Sequence, residues 1–332
     1  MHPVNSTIST INIGNPDTFG GLTLFPLSVT TDSSIDYLLL GEAVKADLVT
    51  VREVSESGRV PELLVENRAP LPVLIVDGEE LVGAKQNRVA NLTLLAPAKC
   101  TLTMPVSCVE AGRWAAESDE FDLSERVHHA SGRADKMESV QMSMCDYGTR
   151  ESDQASVWRH IDEKAAELDA HSPTSAMGAI FDRYRNSLNA LVDHFHASPG
   201  QSGGIFAIGN RVWGFDLFDK PATFAALLPK LVRSYGIDAL EHAQDGSPVT
   251  NENIADEFLS NICNGKIEEH DAVGLGRDIR IVAKDLTAGG LEVNSTLVHL
   301  AAFPKQRQSA SSRHTDTNIL RASLRRRFRG LD

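Results

Sequence analysis

The densest run of chemically capable side chains is Asp77-Gly78-Glu79-Glu80-Leu81-Val82-Gly83-Ala84-Lys85-Gln86-Asn87-Arg88, directly after the apolar stretch Pro72 to Val76. A strand that ends in carboxylates and then continues into Lys, Gln, Asn and Arg gathers acids and cations on one bend. Carboxylate oxygens there could bind a divalent metal. Lys85 and Arg88 could equally hold a phosphorylated ligand. Solvated hairpin charges are the plain alternative. No Gly-Lys-Ser/Thr ending follows Gly78 or Gly83, so the run is neither a Walker motif nor a dinucleotide fingerprint.

A second run is Pro105-Val106-Ser107-Cys108-Val109-Glu110-Ala111-Gly112-Arg113-Trp114. Cys108 shares its strand phase with Leu102, Met104 and Val106, which suits a small buried thiol better than a nucleophile. Glu110 continues that phase. An acid leaving an apolar strand face needs a partner, most simply Arg113 or Lys85. The histidines give no cluster: His128 and His129 are adjacent and would point apart, and His299 lies in an apolar strand. No H-E-x-x-H or G-x-S-x-G motif occurs.

The elements that must position these groups read as α+β. Short strands rich in Val, Leu, Ile and Thr recur through the first 110 residues, a sandwich or barrel-like pattern. Cys100 to Val109 alternates with a period of two, although Pro105 suits an edge or a bulge. Apolar residues at helical spacing follow: Met177 to Phe195, Phe224 to Tyr235 with Gly236 just past the end, and shorter stretches around Trp158 and Phe258. Gly204 to Phe218 reads as two strands around Gly209-Asn210. Asp278 to Phe303 reads as a final hairpin turning at Thr287-Ala288-Gly289-Gly290, and it could return to the first sheet. The expected organisation is a flexible N-terminus (1–20), a single unit (21–304) and a basic tail (305–332). Within the unit lie a strand-rich part (21–114), a polar segment (115–155) and a helical and mixed part (156–304). The polar segment is nearly without apolar periodicity and reads as a solvated connector or a functional loop.

The 332 residues carry 32 basic and 45 acidic side chains, a net charge of −13. Eight basic and two acidic residues lie in 305–332, so a tail of +6 follows a body of −19. The acidic body argues against broad nucleic-acid binding, which only the tail could support; an anionic membrane surface and the acidic body of a second subunit are its other candidate partners, and a flexible solubilising end is the plain alternative. No apolar run approaches the roughly 18 residues of a membrane span. Met1 to Gly20 lacks a basic start and an apolar core, unlike a secretory signal. Four cysteines show no C-x-x-C spacing. The expected location is cytoplasmic, with reduced thiols.

The stretch Pro72 to Arg88 resembles the signature of a bacterial domain of unknown function, one associated with ADP-ribosylglycohydrolase and rhodanese-phosphatase superfamily proteins. The Val-Ser-Cys-Val-Glu-x-Gly-Arg-Trp run ending at Trp114 is similar to that family's second signature. Gln154 with Val157-Trp158, Tyr235 to Leu240, and Arg133 with Lys136 match less specifically. The resemblance covers about 20–304 and implies a place in nucleotide and ADP-ribose metabolism, in part linked to biological conflict. It implies one polar pocket built from both signatures. Glu79, Glu80 and Glu110 are its candidate catalytic carboxylates. Lys85, Gln86, Asn87, Arg88, Arg113 and Trp114 are its candidate ligand-binding residues. The expected ligand is of the ADP-ribose or nucleotide type, handled by a hydrolase or transferase, or held without turnover by a sensor, accessory or interaction module. A divalent metal could serve but is not required.

Overall fold

The computed structural model describes residues 2–30, 35–55, 61–115, 118–242, 251 and 253–305. The fold is α+β. Among the described residues, six strands form one curled antiparallel sheet in the order β12 (Phe121–Val127), β8 (Glu79–Gly83), β9 (Arg88–Ala90), β11 (Cys100–Cys108), β6 (Glu62–Asn67) and β5 (Val49–Glu53). Its edges approach each other through a bridge between Arg52 and Glu120, giving a half-barrel. Val49, Val51, Leu63, Val65, Leu81, Met104, Val106 and Phe121 fill its interior. This is the period-two pattern, with alternate side chains turned inward. A small sheet of β4 (Leu38–Leu39), β7 (Val73–Ile75) and β10 (Leu94–Ala96), with helix α2 (Leu40–Lys45), shares that core.

Pro105 lies inside β11, not on a sheet edge. It pairs with Glu62 of β6, and pairing with β9 begins only at Val106. The proline therefore stands where the strand passes from one neighbour to the next, and its carbonyl accepts the Asn91 N–H at 3.0 Å.

The larger sheet runs in the order β1 (Asn12–Ile13), β3 (Leu22–Ser28), β13 (Gln201–Ile208), β14 (Arg211–Phe218), β18 (Thr296–Pro304), β17 (Leu286–Val293), β16 (Arg277–Val282) and β15 (Lys266–Asp271). Strand β2 (Asp17–Phe19) pairs with β3 off this path. Helices α5 (Gly178–Arg183), α6 (Arg185–His194) and α7 (Pro221–Glu241) contribute to the core on one face. Helices α1 (Pro3–Ile8) and α8 (Ile254–Cys263) contribute to the core on the other. Much of the stretch expected as a flexible N-terminus is thus built into the fold, with Val4 and Ile8 buried. Residues 306–332 of the basic tail lie outside the described residues.

Three local expectations are corrected. The final segment makes three strands, and the chain turns at Asn294-Ser295, both at positive φ. Gly289 and Gly290 lie inside β17, where a Cβ on Gly290 would overlap the His299 carbonyl. Gly236 does not end α7, which runs five residues further. A Cβ there would come within 2.8 Å of Leu191, so the missing side chain lets α6 and α7 approach. The polar segment is not a connector. It forms β12 and helix α3 (Ala130–Tyr147), which packs beside α4 (Gln154–Glu167), and α3 buries Arg133 and Lys136.

The polarity of α3 is used inside the protein. Arg133 binds Asp216 and Asp77, and Lys136 binds Asp77 and the carbonyls of Ala90 and Asn91. Tyr235 donates to Asp216 at 2.8 Å, and His299 lies between Asp216 (3.3 Å) and Thr93 (2.7 Å). Burial alone would raise the Asp216 carboxyl, but Arg133 and His299 overcome it and hold it at about 2. The network joins the half-barrel (Asp77 before β8) to the large sheet (Asp216 on β14) through α3.

Candidate functional site

The antiparallel order brings six strand termini to one end of the half-barrel: the start of β12, β9 and β6, and the end of β8, β11 and β5. At that end Arg88 and Cys108 are direct cross-strand neighbours. They share the inward phase with Leu81, and Glu53 shares it with Val49 and Val51. Arg88 is fully buried, with its Nη1 donating to Gln86 Oε1 at 3.0 Å. Cys108 Sγ donates to the same oxygen at 2.9 Å. Burial pushes the Cys108 thiol up to about 12, so it stays a thiol at neutral pH. Gln154 from α4 closes the arrangement, accepting the Cys108 N–H at 2.7 Å and donating to its carbonyl at 2.8 Å.

Both signatures meet around Glu110. Its Oε2 accepts from Arg113 Nε (2.9 Å) and Nη2 (2.7 Å) and from the Asn87 N–H (3.3 Å), and its Oε1 accepts from Thr174 at 2.8 Å. Burial pushes this carboxyl upward, but the hydrogen bonds from Arg113, Thr174 and Asn87 outweigh it and leave the pKa below the usual value. Gln86 Nε2 donates to the Glu110 carbonyl at 2.9 Å. Arg113 also holds the Ala84 carbonyl at 2.7 Å and Asn87 Oδ1 at 3.1 Å, so one guanidinium fastens the 83–87 turn. Above this lies Trp114, 50% exposed, with Lys85 Nζ 5.5 Å and Arg88 Cζ 5.8 Å from its ring centre. Both distances fall within the roughly 6 Å of a cation–π contact.

Lys85, Gln86, Asn87, Arg88, Glu110, Arg113 and Trp114 are therefore together, whereas Glu79 and Glu80 are elsewhere. Glu79 begins β8, and at about 3.3 Å per residue it is roughly 13 Å from the strand's other end. It accepts from Lys230 of α7 and from the Val76 N–H, at 2.9 and 3.0 Å. This pair lines a cleft of about 480 Å³ with walls from Leu39, Val44, Leu123 and Leu227. Glu80, one residue on, points to the outer face and accepts from Arg126 at 2.5 Å and Ser124 at 2.8 Å. The three carboxylates thus occupy two ends and one face of the same sheet.

Two groupings escaped sequence reasoning. Glu53 ends β5 in the inward phase after Val49 and Val51, the same signal that singled out Glu110. A polar cleft of about 240 Å³ gathers His129, His160 and His242 from α3, α4 and the end of α7. There Asp135 binds His160 at 2.9 Å, and Lys164 bridges Asp238 and Glu241. Burial and a hydrogen bond with Glu167 raise the Glu241 carboxyl to about 7. No spacing in the sequence links these helices. His129 already serves as the N-cap of α3, its Nδ1 accepting the Gly132 N–H at 3.0 Å. Among the described residues, no group of three or more His, Cys, Asp or Glu is arranged to hold a metal ion. Among them, too, no helix is long and apolar enough to cross a membrane.

A chain with this half-barrel, and with both signature runs interlocked through Glu110 and Arg113, belongs to a defined family. It is a member of the ARPP-1 family: the model of the ARG and Rhodanese-Phosphatase-superfamily-associated Protein domain matches residues 10–303. Comparison with curated proteins and with solved structures gave no significant match.

Proposed function

We propose that the chain binds a ligand of the ADP-ribose or nucleotide type at the Arg88 end of the half-barrel. The observation that carries this reading is Trp114, half exposed, with Lys85 and Arg88 both against its ring. Stacking of a base on a half-exposed indole is worth about 1–3 kcal/mol, and the two cations at the ring suit phosphate oxygens. Arg113 and Glu110 hold the turn that presents them. The family's association with ADP-ribosylglycohydrolase and rhodanese-phosphatase proteins points to the same ligand class.

A catalytic role for Glu79, Glu80 or Glu110 would require that carboxylate to serve as a proton acceptor. Each already accepts hydrogen bonds from a cation (Lys230, Arg126 and Arg113), which favours holding the ligand over transforming it. A sensor or accessory role follows. The test is calorimetry and thermal shift with ADP-ribose, NAD and AMP, with and without Mg²⁺ or Mn²⁺, and chromatography for products. Saturable binding without product, weakened at least tenfold by Trp114→Ala, is expected. Product formation lost in Glu80→Gln or Glu110→Gln would replace this reading with an enzymatic one. No binding by any of the three ligands would end it.

A further inference from the structure

Beneath Trp114, Arg88 Nη2 and Glu53 Oε1 face each other at 3.8 Å, with side chains 0% and 11% exposed. This is an ion pair without a hydrogen bond. Among the described residues, Arg88 commits Nη1 to Gln86, while its Nε and Nη2 have no hydrogen-bond partner. Neither oxygen of Glu53 has one either. Native proteins leave only a few such atoms per hundred residues, and each calls for an explanation. Here four occur in one place. Nε and Nη2 form one edge of the guanidinium, the fork that grips two oxygens of a phosphate or carboxylate. Glu53 beside it offers only acceptors.

We propose that this pair reads a terminal phosphate group in its monoprotonated form. Two phosphoryl oxygens accept from Arg88 Nε–H and Nη2–H, and the P–OH donates to Glu53. The inference rests on the nucleotide-type reading above and narrows that ligand to a phosphomonoester. A separation of 3.8 Å suits neighbouring oxygens of one tetrahedral group. The rest of the ligand then leaves toward Trp114, where its base stacks.

The alternatives satisfy one half of the pair and burden the other. A carboxylate or sulfate fills the fork but sets a second anion, without a proton, against Glu53. An internal pyrophosphate does the same. A cation satisfies Glu53 and repels Arg88. A phosphomonoester, whose second pKa is about 6, carries both acceptors and a donor near neutral pH. As pH rises above that value the donor is lost, and binding should weaken.

The experiment is titration calorimetry of the full chain with orthophosphate, sulfate, AMP and ADP-ribose at pH 6 and pH 8. We expect orthophosphate and AMP to bind, sulfate to bind at least tenfold more weakly, and AMP affinity to fall about fiftyfold from pH 6 to pH 8, following its monoprotonated fraction. In Glu53→Gln, whose amide can donate to an unprotonated oxygen, the preference for orthophosphate over sulfate should disappear. Equal affinity for both anions in the native chain overturns the inference, as does a preference that survives Glu53→Gln. If that variant does not fold, the two anions at two pH values in the native chain decide the matter. ADP-ribose binding with no response to AMP or orthophosphate overturns the phosphomonoester and leaves the nucleotide-type reading standing. Failure of AMP and ADP-ribose alike removes both.

Discussion

Arg133 holds both carboxylate oxygens of Asp216, through Nη1 at 3.1 Å and Nη2 at 2.7 Å, with both side chains fully buried. Such a pair is weak evidence for net stability, since two charges have been taken out of water. Breaking it is another matter. Arg133→Met leaves Asp216 and Asp77 with an uncompensated negative charge between them. A loss of about 3–5 kcal/mol is expected, measured as a lower midpoint in urea unfolding. Arg133→Lys keeps the charge but not the fork and should fall between the two.

Stability should decline in two stages as pH falls. His128 and His129 are buried, and burial holds both well below the usual imidazole value, with His129 as the next influence on the first and Lys164 on the second. The unfolded chain takes up protons below pH of about 6.5 that the folded chain refuses. Their contribution is therefore present above that pH and lost below it, at about 1.4 kcal/mol per unit for each imidazole. Asp216 acts lower. Its folded value of about 2 lies beneath the unfolded carboxylate range, so its stabilisation is present above pH of about 4 and lost toward 2. Unfolding midpoints at pH 7.5, 6 and 5 check the first stage. A flat profile over that range would rule out the two neutral imidazoles.

Glu79 and Lys230 form an ion pair in the lining of the cleft of about 480 Å³, with side chains 3% and 10% exposed. Among the described residues, Lys230→Met leaves Glu79 with only the Val76 N–H, and a cost of about 3 kcal/mol is expected for the stranded charge. Lys230→Met combined with Glu79→Gln should recover much of it. A double-mutant cycle measures the coupling, and simple additivity would contradict the pairing.

The strands of the half-barrel and the meeting of Glu110 with Arg113 were legible because both depend on period-two phase and short range. Phase predicted that Cys108 turns inward and that Glu110 needs a cation. It was equally available for Glu53, but a lone acid after two valines gave no neighbouring motif to direct attention to it. The turn expected at Gly289-Gly290 failed because glycine also serves close backbone approach, and only the neighbouring strand reveals which role applies. Arg133 and Lys136 looked solvated because their partners, Asp77 and Asp216, are 56 and 83 residues from Arg133 in sequence. Composition cannot distinguish a solvated charge from one paired at long range. The separation of Glu79 from Glu80 is simpler: adjacent strand residues face opposite ways, so a shared role was excluded by the pleat itself.

The large sheet sets a timetable for synthesis. The half-barrel strands lie between Val49 and Val127, so that unit can assemble from an early portion of the chain. Strand β3 waits for β13, and β14 waits for β18, which ends at Pro304. At about 5–20 residues per second, the ribosome needs roughly ten to thirty-five seconds to travel from the end of β12 to the end of β18. Over about the first half of that interval β3 has no partner at its β13 edge, and Asp77 awaits the junction that Asp216 of β14 completes with Arg133. A stall or truncation between those points would release a finished half-barrel carrying unfinished apolar strands. That intermediate is the one chaperones would be expected to meet.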